Sequence, residues 1–217
     1  MLKRRIRSDD VVDYLIDAIL RGDFKPGAKI VEMQAAKLLD VSQATIREAF
    51  RELVAKGFLY SVPFKGTYVR RFSAKGLKDY FRTRTEIEVL AARWSFDLMG
   101  RAMDWEKLRD CIAGMEHSLL KSDHVAFRRM DMEFHRTMVS GCESPSLLAA
   151  WEALGHSFWA YFGIYVEQRH YRLDSQVEMH RSILESLRKG QFDLLRSNLV
   201  NHYVDISAVL EVVDQEK

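Results

Sequence analysis

The scarcity of two residue types, cysteine and proline, limits the kinds of fold and of metal site that this chain can form. Its 217 residues include only two cysteines, Cys111 and Cys142, and they do not form a CxxC pair. A disulfide framework and a cysteine-ligated metal site are therefore not indicated, and a reducing compartment fits. Only 3 prolines and 11 glycines interrupt the chain, so most of it can be helical.

Export and membrane signals are also missing. The basic start, MLKRRIRSDD, is not followed by the apolar run that a secretory signal requires. The most apolar stretch, residues 147–166, is interrupted by Glu152 and His156, so we predict a buried helix there and not a membrane span. We expect a cytoplasmic protein with no membrane partner.

Charge is distributed unevenly along the chain. Up to Phe72 there are 14 Lys+Arg against 9 Asp+Glu, and after it 19 against 22, so a part of charge +5 precedes a part of charge −3. A hydrophobic content of 47% supplies core material for two compact domains. The basic first part favours contact with a polyanion, although a chance fluctuation also explains the difference.

The first part has the pattern of three helices. Ser8 is expected to cap a first helix that ends at Gly22, and a short helix over residues 32–39 follows. Ser42 is expected to cap a third helix, whose apolar stripe consists of Ile46, Ala49, Phe50, Leu53 and Val54. The tight turn Asp40-Val41 between the second and third helices makes this pair a helix-turn-helix candidate.

A β-hairpin, or wing, is predicted next. Two β-prone runs, residues 58–62 and 67–71, flank the turn residues Pro63-Phe64-Lys65-Gly66. Lys65 puts positive charge near the tip of this wing, and Arg70 and Arg71 add to it.

The third helix is the candidate for reading DNA. If its apolar stripe faces the core, its exposed side carries Gln43, Ala44, Thr45, Arg47, Glu48 and Arg51. Glutamine suits the N6/N7 edge of adenine and arginine the O6/N7 edge of guanine, while Ser42 and Thr45 can hold phosphate at the helix N-terminus. An ordinary solvated helix followed by a hairpin explains the same pattern.

The rest of the chain returns to helical periodicity. Six segments are predicted, at about 75–99, 104–121, 124–141, 146–166, 174–189 and 191–212. The fold class is therefore mainly α: a winged helix-turn-helix over residues 1–72, followed by an all-α bundle over residues 73–217.

A metal site is one interpretation of four residues in the bundle. Asp131 and His135 are four apart and share a helix face, and His180 and His202 fall on two helices joined by a short turn, so all four can converge. Three imidazoles and a carboxylate suit Zn²⁺ first and Ni²⁺ second, with positions left for water or an anion. A surface ion pair and ordinary histidines are the alternative.

Arg84 and Glu88 place two charges inside an apolar stripe. The stripe consists of Leu77, Phe81, Arg84, Glu88, Ala91 and Ser95, and it should face the bundle core. Buried charges need partners. The two residues either form only a mutual ion pair, or Arg84 anchors a carboxylate ligand.

The first part of the chain resembles a known family. The segment GDFKPGAKIVEMQAAKLLDVSQATIREAFRELVAKGFLYSVPFKGTYV has the PGxxL-type turn, VSxxxVREAL-type recognition helix and glycine-tipped wing of the GntR family of bacterial regulators, in that order. The resemblance implies that Arg47, Arg51 and Gly66 contact DNA. Gln43 stands where arginine is common, Ala44 where threonine is frequent and Met33 where some members have a DNA-contacting arginine, so base preference is not implied.

The second part resembles the FCD ligand-binding domain of the FadR subfamily, in the shorter VanR-type layout, from about Leu77 to Leu210. The matching motifs are the Arg84/Glu88 pair, Asp131-x-x-Phe134-His135, His180-x-x-Ile183-Leu184 and a final His202. The resemblance implies that Asp131, His135, His180 and His202 bind a metal and that Arg84 binds an effector. The other histidines, His117, His124, His156 and His170, match no ligand position.

Three functions fit these features. The first is a homodimeric transcriptional regulator, expected to be a repressor, that binds double-stranded operator DNA and responds to a small organic acid. The second is a metalloenzyme, but HExxH is absent, and Glu133 points off the metal face, so we expect no enzyme. The third is a metal sensor, which the sequence does not separate from the first.

Overall fold

The computed structural model describes residues 7–98, 102–155 and 173–204. These residues form two compact units, one that extends to Arg71 and one that begins at Phe72.

The first unit contains the three predicted helices, α1 (Ser8–Arg21), α2 (Glu32–Leu39) and α3 (Gln43–Ala55). The prediction that Ser8 caps α1 is wrong. Ser8 is the first helical residue, and its buried hydroxyl has no hydrogen-bond partner among the described residues. The Asp10 carboxylate instead accepts the backbone N–H of Arg7 at 2.9 Å, one turn before it.

The turn between α2 and α3 has the predicted position and chemistry. Asp40 ends α2 in the left-handed conformation (φ 52°), which aspartate tolerates better than most residues. Ser42 caps α3, and its hydroxyl accepts the Thr45 backbone N–H at 3.1 Å. The stripe of α3 is buried as predicted at Ile46, Ala49, Phe50 and Leu53, and Val54 is half-buried.

A three-stranded antiparallel sheet completes this unit. It consists of β1 (Lys29–Ile30), β2 (Leu59–Val62) and β3 (Gly66–Val69), in the order β1-β3-β2. The wing hairpin, β2 with β3, was predicted, but β1 was not. Two residues are too few to show the alternation of a strand, and β1 exists because its backbone pairs with Thr67 and Tyr68.

The second unit contains six helices among the described residues. They are α4 (Ala74–Asp97), α5 (Trp105–Leu120), α6 (His124–Ser140), α7 (Pro145–Leu154), α8 (Leu173–Arg188) and α9 (Phe192–Val204). Their type and order agree with the prediction of an all-helical second part. The mixed apolar and charged stripe of α4 is buried at every predicted position.

One helix is shorter than predicted. A continuous helix was expected over residues 146–166, but α7 ends at Leu154, and Gly155 follows with φ 73°. Glycine adopts this conformation without the steric cost that a side chain adds. Residues 156–166, with His156, lie outside the described residues, as do His170 and the predicted helix ends at residues 99 and 205–212.

The helices of the second unit pack as two pairs and a long central helix. α5 packs on α6 and α8 packs on α9, while α4 contacts α6, α7 and α9. Because α4 lies against α6 and α9, which carry three of the four predicted ligands, its charged pair is placed beside them. No helix within residues 7–98, 102–155 and 173–204 is long and apolar enough to cross a membrane.

Candidate metal centre and DNA-reading surface

Three helices bring the four predicted metal ligands together. Asp131 and His135 lie one turn apart on α6, His180 lies on α8, and His202 lies on α9. All four are buried, and one potential ligand atom from each lies within 4.8 Å of the others. This cluster could bind a metal ion.

Three distances in the cluster are suited to a shared metal ion. His135 Nε2 lies 3.2 Å from His202 Nε2, and Asp131 Oδ1 lies 3.0 Å from His180 Nε2 and 3.6 Å from His202 Nε2. An ion with ligands at about 2.0–2.2 Å holds neighbouring ligand atoms about 3.0–3.5 Å apart. These three separations are therefore close to those between ligand atoms that share one ion.

Hydrogen bonds outside the cluster orient two of the rings. His180 Nδ1 donates to the Gln176 backbone carbonyl at 2.7 Å, since a carbonyl oxygen can only accept. His135 Nδ1 lies 3.2 Å from the Glu88 carboxylate, which likewise only accepts when ionised. In both rings the proton is therefore on Nδ1, and the lone pair of Nε2 points into the cluster.

Several atoms inside the cluster lack the partners that burial requires. Neither carboxylate oxygen of Asp131, nor His180 Nε2, has a hydrogen-bond partner among the described residues, although Asp131 Oδ1 and His180 Nε2 are close. Two lone pairs facing each other at that distance repel, whereas a cation between them satisfies both. The residues present thus fit a metal ion.

His202 is held in the neutral form that a metal ligand needs. Burial lowers its pKa well below the ordinary value, and electrostatic interactions with His180, His135 and the Arg84 guanidinium lower it further. An unprotonated imidazole keeps its lone pair for an ion at neutral pH.

Arg84 lies in a buried network beside the cluster. Its guanidinium donates from Nε to Glu88 Oε1 and to the Tyr203 hydroxyl, both at 2.8 Å, and from Nη1 to the Tyr80 hydroxyl at 2.8 Å. It also lies over the Trp151 ring, 4.6 Å from the centroid. The predicted ion pair with Glu88 is confirmed, with both side chains almost fully buried.

Glu88 connects this network to the metal cluster. It accepts from Arg84, from the Trp151 indole N–H at 2.9 Å and from the Tyr203 hydroxyl, and it contacts His135. Burial alone would raise its pKa, but His135 and Arg84, with the hydrogen bonds of His135 and Trp151, outweigh burial and lower it to about 2.

Sequence reasoning missed three members of this network, Tyr80, Trp151 and Tyr203. Tyr80 is one turn before Arg84, so the helical spacing that paired Arg84 with Glu88 could have identified it. Tyr203 is adjacent to His202 in the sequence. For Trp151, no local pattern indicates its hydrogen bond to Glu88.

The predicted DNA-reading residues share the outer surface of the first unit. Ser42, Gln43, Arg47, Arg51, Lys65 and Gly66 are exposed, and Thr45 is half-buried. The hydroxyls of Ser42 and Thr45 lie 2.9 Å apart at the N-terminus of α3. The exposed face of α3 and the wing strands border one groove, which is lined by Glu32, Arg47, Phe50, Arg51, Val54, Ser61 and Thr67.

Arg47 is not free on this surface. Its Nε donates to the Glu32 carboxylate at 2.8 Å, a contact from α3 to the start of α2 that the sequence did not predict. The guanidinium is thereby held at the border of the groove.

The wing presents Lys65 and Gly66 at its tip. Gly66 has φ 117°, and a Cβ there would lie 2.8 Å from Lys29 Cε, so only glycine fits without a shift. Arg70, which was expected to add charge to the wing, is half-buried and donates to the Gly57 carbonyl at 2.9 Å. Arg70 therefore holds the base of the hairpin against the end of α3.

Two family models match this chain. Residues 7–69 match "Bacterial regulatory proteins, gntR family", and residues 79–205 match "FCD domain". Together they cover both units.

Similar curated proteins are bacterial regulators. The chain is 32% identical over 201 residues to a probable D-xylose utilization operon transcriptional repressor of Paenarthrobacter nicotinovorans, across 93% of this chain and 87% of that protein. It is 30% identical over 160 residues to the transcriptional repressor GlaR of Escherichia coli, across 69% of each.

Solved structures share the fold. E. coli McbR/YncC has a TM-score of 0.76 at 20% identity, across 97% of this chain and 98% of that one. A putative GntR regulator from Rhodococcus sp. RHA1 has a TM-score of 0.70 at 21% identity, across 94% and 97%.

Proposed function

The chain belongs to the GntR family of bacterial transcriptional regulators, with an FCD domain, and is not an enzyme; on this premise we propose a repressor whose operator affinity changes when a small organic acid binds. It acts in the cytoplasm as a homodimer, with residues 1–72 as the DNA-binding domain and 73–217 as the metal-binding, effector-binding and dimerisation domain. The single observation that carries the proposal is one chain with both an α3 face that exposes Arg47 and Arg51 and a buried His/Asp cluster. Repression is proposed because two relatives are named as repressors.

The DNA contacts are divided between bases and phosphates. Arg47 and Arg51, with Gln43, are proposed to read base edges in the major groove from α3. Ser42 and Thr45 at the N-terminus of α3, and Lys65 and Gly66 on the wing, are proposed to hold the backbone, and this gives binding its salt dependence. All of these residues except the half-buried Thr45 are exposed, and Arg47 and Arg51 line one groove with wing residues, which supports this division.

Arg47→Ala tests the DNA-reading role. Loss of a bidentate base contact costs about 1–3 kcal/mol, so we expect roughly 5- to 150-fold weaker binding to an operator fragment selected from random DNA by the wild-type protein. The matched control is Arg21→Ala, which removes an exposed, ion-paired arginine from α1. A folded Arg47→Ala protein with wild-type operator affinity would contradict the assignment of α3.

The metal is proposed to be Zn²⁺, or alternatively Ni²⁺, held by Asp131, His135, His180 and His202. When bound, the ion supplies positive charge and coordination positions for an anion. The cluster supports this through its spacing and its unpartnered atoms. Replacement of both His180 and His202 by alanine should abolish the tightly bound ion in elemental analysis, and full retention would mean that the ligands are different.

The effector is proposed to be a carboxylate that meets both the ion and Arg84. With a divalent ion bound, the charges of the ion and of Arg84 outweigh those of the two buried carboxylates, Asp131 and Glu88, so the interior favours an anion. Because Glu88 already holds Arg84, the effector must share the guanidinium with it. A change in this ion pair on binding provides the coupling, since the ligand must bind the two DNA affinity states unequally.

Arg84→Lys tests the effector role better than Arg84→Ala, because alanine leaves the Glu88 carboxylate buried without its cation. Lysine keeps the charge but lacks the bidentate fork. We expect Arg84→Lys to retain metal and operator DNA while the response to a panel of carboxylates is lost. A normal response would limit Arg84 to a structural role, and a response to chelator alone would favour the metal-sensing alternative.

A further inference from the structure

The tip of the wing contains an aromatic residue in an unfavourable backbone conformation. Val62 pairs with Gly66 across the hairpin, and the Lys65 backbone N–H donates to the Val62 carbonyl at 3.0 Å. Pro63 occupies the second position of this turn and Phe64 the third, with φ 61°. A positive φ at the third position is typical of a type II turn, where glycine or asparagine is normal and a bulky side chain is strained.

Packing does not compensate for the strain at Phe64. The residue has a relative exposure of 109%, the highest among the large apolar residues of the described chain. An aromatic ring in water forgoes the burial that usually stabilises it. Turn geometry disfavours phenylalanine here and no burial compensates, so we infer that the ring contacts another molecule.

The charge around the ring indicates the kind of partner. No acidic residue occurs from Phe58 to Arg71, whereas Lys65 is adjacent to the ring and Lys29 lies at Gly66. The lysines suit a polyanion, and the flat apolar ring suits a partner with flat faces on which it can stack. Nucleic acid has both properties, in its phosphates and its bases.

The position of the wing supports the same partner. Wing residues Ser61 and Thr67 line one groove with Arg47 and Arg51 of α3, and Phe64 lies at the end of that hairpin. With α3 in the major groove, a projection beside it reaches the adjacent minor groove.

We propose that Phe64 is a DNA-contacting wedge, which enters the minor groove beside the half-site read by α3 and partly unstacks one base step. Lys65 and the backbone at Gly66 hold the flanking phosphates. This inference rests on the proposed DNA-binding function and adds a deformation of the operator, so that sequence preference extends to base pairs that α3 does not touch.

Phe64→Gly separates a role in folding from a role in binding, because glycine relieves the strain and removes the ring. We expect a higher Tm than wild type together with about ten-fold weaker binding to the selected operator fragment, since one base–aromatic contact contributes about 1–3 kcal/mol. In a set of operator fragments, 2-aminopurine replaces one base at a time beside the half-site. Its fluorescence should rise at one position when wild-type protein binds, and this rise should be absent with Phe64→Gly. Phe64→Trp, which keeps a stacking face, should restore both affinity and signal.

Leu120→Ala is the matched control, since it removes a comparably exposed apolar side chain from the second unit. It should leave operator affinity and the fluorescence signal unchanged. Wild-type affinity and signal in Phe64→Gly, while Arg47→Ala loses binding, would overturn this inference alone and assign the ring to a protein or membrane partner. If both Phe64→Gly and Arg47→Ala retained wild-type operator affinity, the proposed DNA-binding function would be overturned as well.

Discussion

A single buried carboxylate, that of Glu88, links the metal cluster to the arginine proposed to bind the effector. One of its oxygens contacts His135 and the other accepts from Arg84 and Trp151. A carboxylate on the outer nitrogen of a metal ligand fixes the tautomer of the ring and raises its basicity. Glu88 is therefore a positioning residue as well as the partner of Arg84.

Glu88→Gln should weaken metal binding although Glu88 is not a ligand. Loss of the carboxylate behind His135 is expected to reduce Zn²⁺ affinity about 10- to 100-fold in chelator competition. The visible spectrum of the Co²⁺ protein should also change, which a purely structural role would not cause. Glu86→Gln, at an exposed carboxylate two positions earlier that pairs with Arg196, is the control. Wild-type affinity in folded Glu88→Gln protein would contradict the link.

Glu88 also predicts a loss of stability in acid. Its pKa falls from 4.5 to about 2 on folding, so the unfolded chain binds its proton more readily. Its contribution to the free energy of unfolding is present above pH 4.5 and is lost as the pH falls from there to about 2. Urea unfolding in chelator at pH 6, 4 and 3 should show a steeper decline for wild type than for Glu88→Gln. Parallel declines would refute this prediction.

At the scale of elements, the start of α3 combines a structural and a functional role. The Ser42 hydroxyl caps the helix and, by proposal, contacts phosphate. Ser144 provides a comparison, because its hydroxyl accepts the Leu147 backbone N–H at 3.3 Å at the start of α7.

Ser42→Ala and Ser144→Ala should therefore separate stability from binding. Each is expected to lower the free energy of unfolding by about 1 kcal/mol, the usual effect of losing a serine cap. Only Ser42→Ala should also weaken operator binding, because α3, unlike α7, is proposed to enter the major groove. Equal operator affinities for the two variants would mean that Ser42 is only a cap.

Helix positions were predictable from the sequence because they depend on local periodicity and caps. The stripe of α4, the cap of α3 and the turn at Asp40 each involve residues within a few positions of one another. The end of α7 at Leu154 was missed, since the apolar residues beyond Gly155 continued the pattern and a single glycine is a weak stop signal.

At the scale of the whole molecule, the proposed homodimer predicts the form of the operator. One winged unit reads a short half-site, so a two-fold dimer should select a near-palindrome with half-sites about one DNA turn apart or closer. Sedimentation at micromolar concentration should show a dimer, alone and on DNA. The affinity should fall steeply as salt rises, because basic side chains displace counterions. A monomer under both conditions would exclude this arrangement.

The sequence by itself determined which helices form and which of their faces are apolar, because these properties follow from spacing along the chain. It also indicated four ligand candidates, through the one-turn spacing of Asp131 and His135 and the short turn between the helices of His180 and His202. It left open whether these residues meet, since a surface ion pair and solvated histidines have the same local pattern.

Only the tertiary structure decided that the four side chains lie within reach of one ion and that Glu88 joins them to Arg84. It also showed the hydrogen bond from Trp151 to Glu88, the ion pair between Arg47 and Glu32, and the pairing that forms strand β1. The reason is physical: apart from the one-turn pairs Arg84/Glu88 and Asp131/His135, these contacts join residues far apart along the chain, and burial selects the partners that satisfy polar groups removed from water.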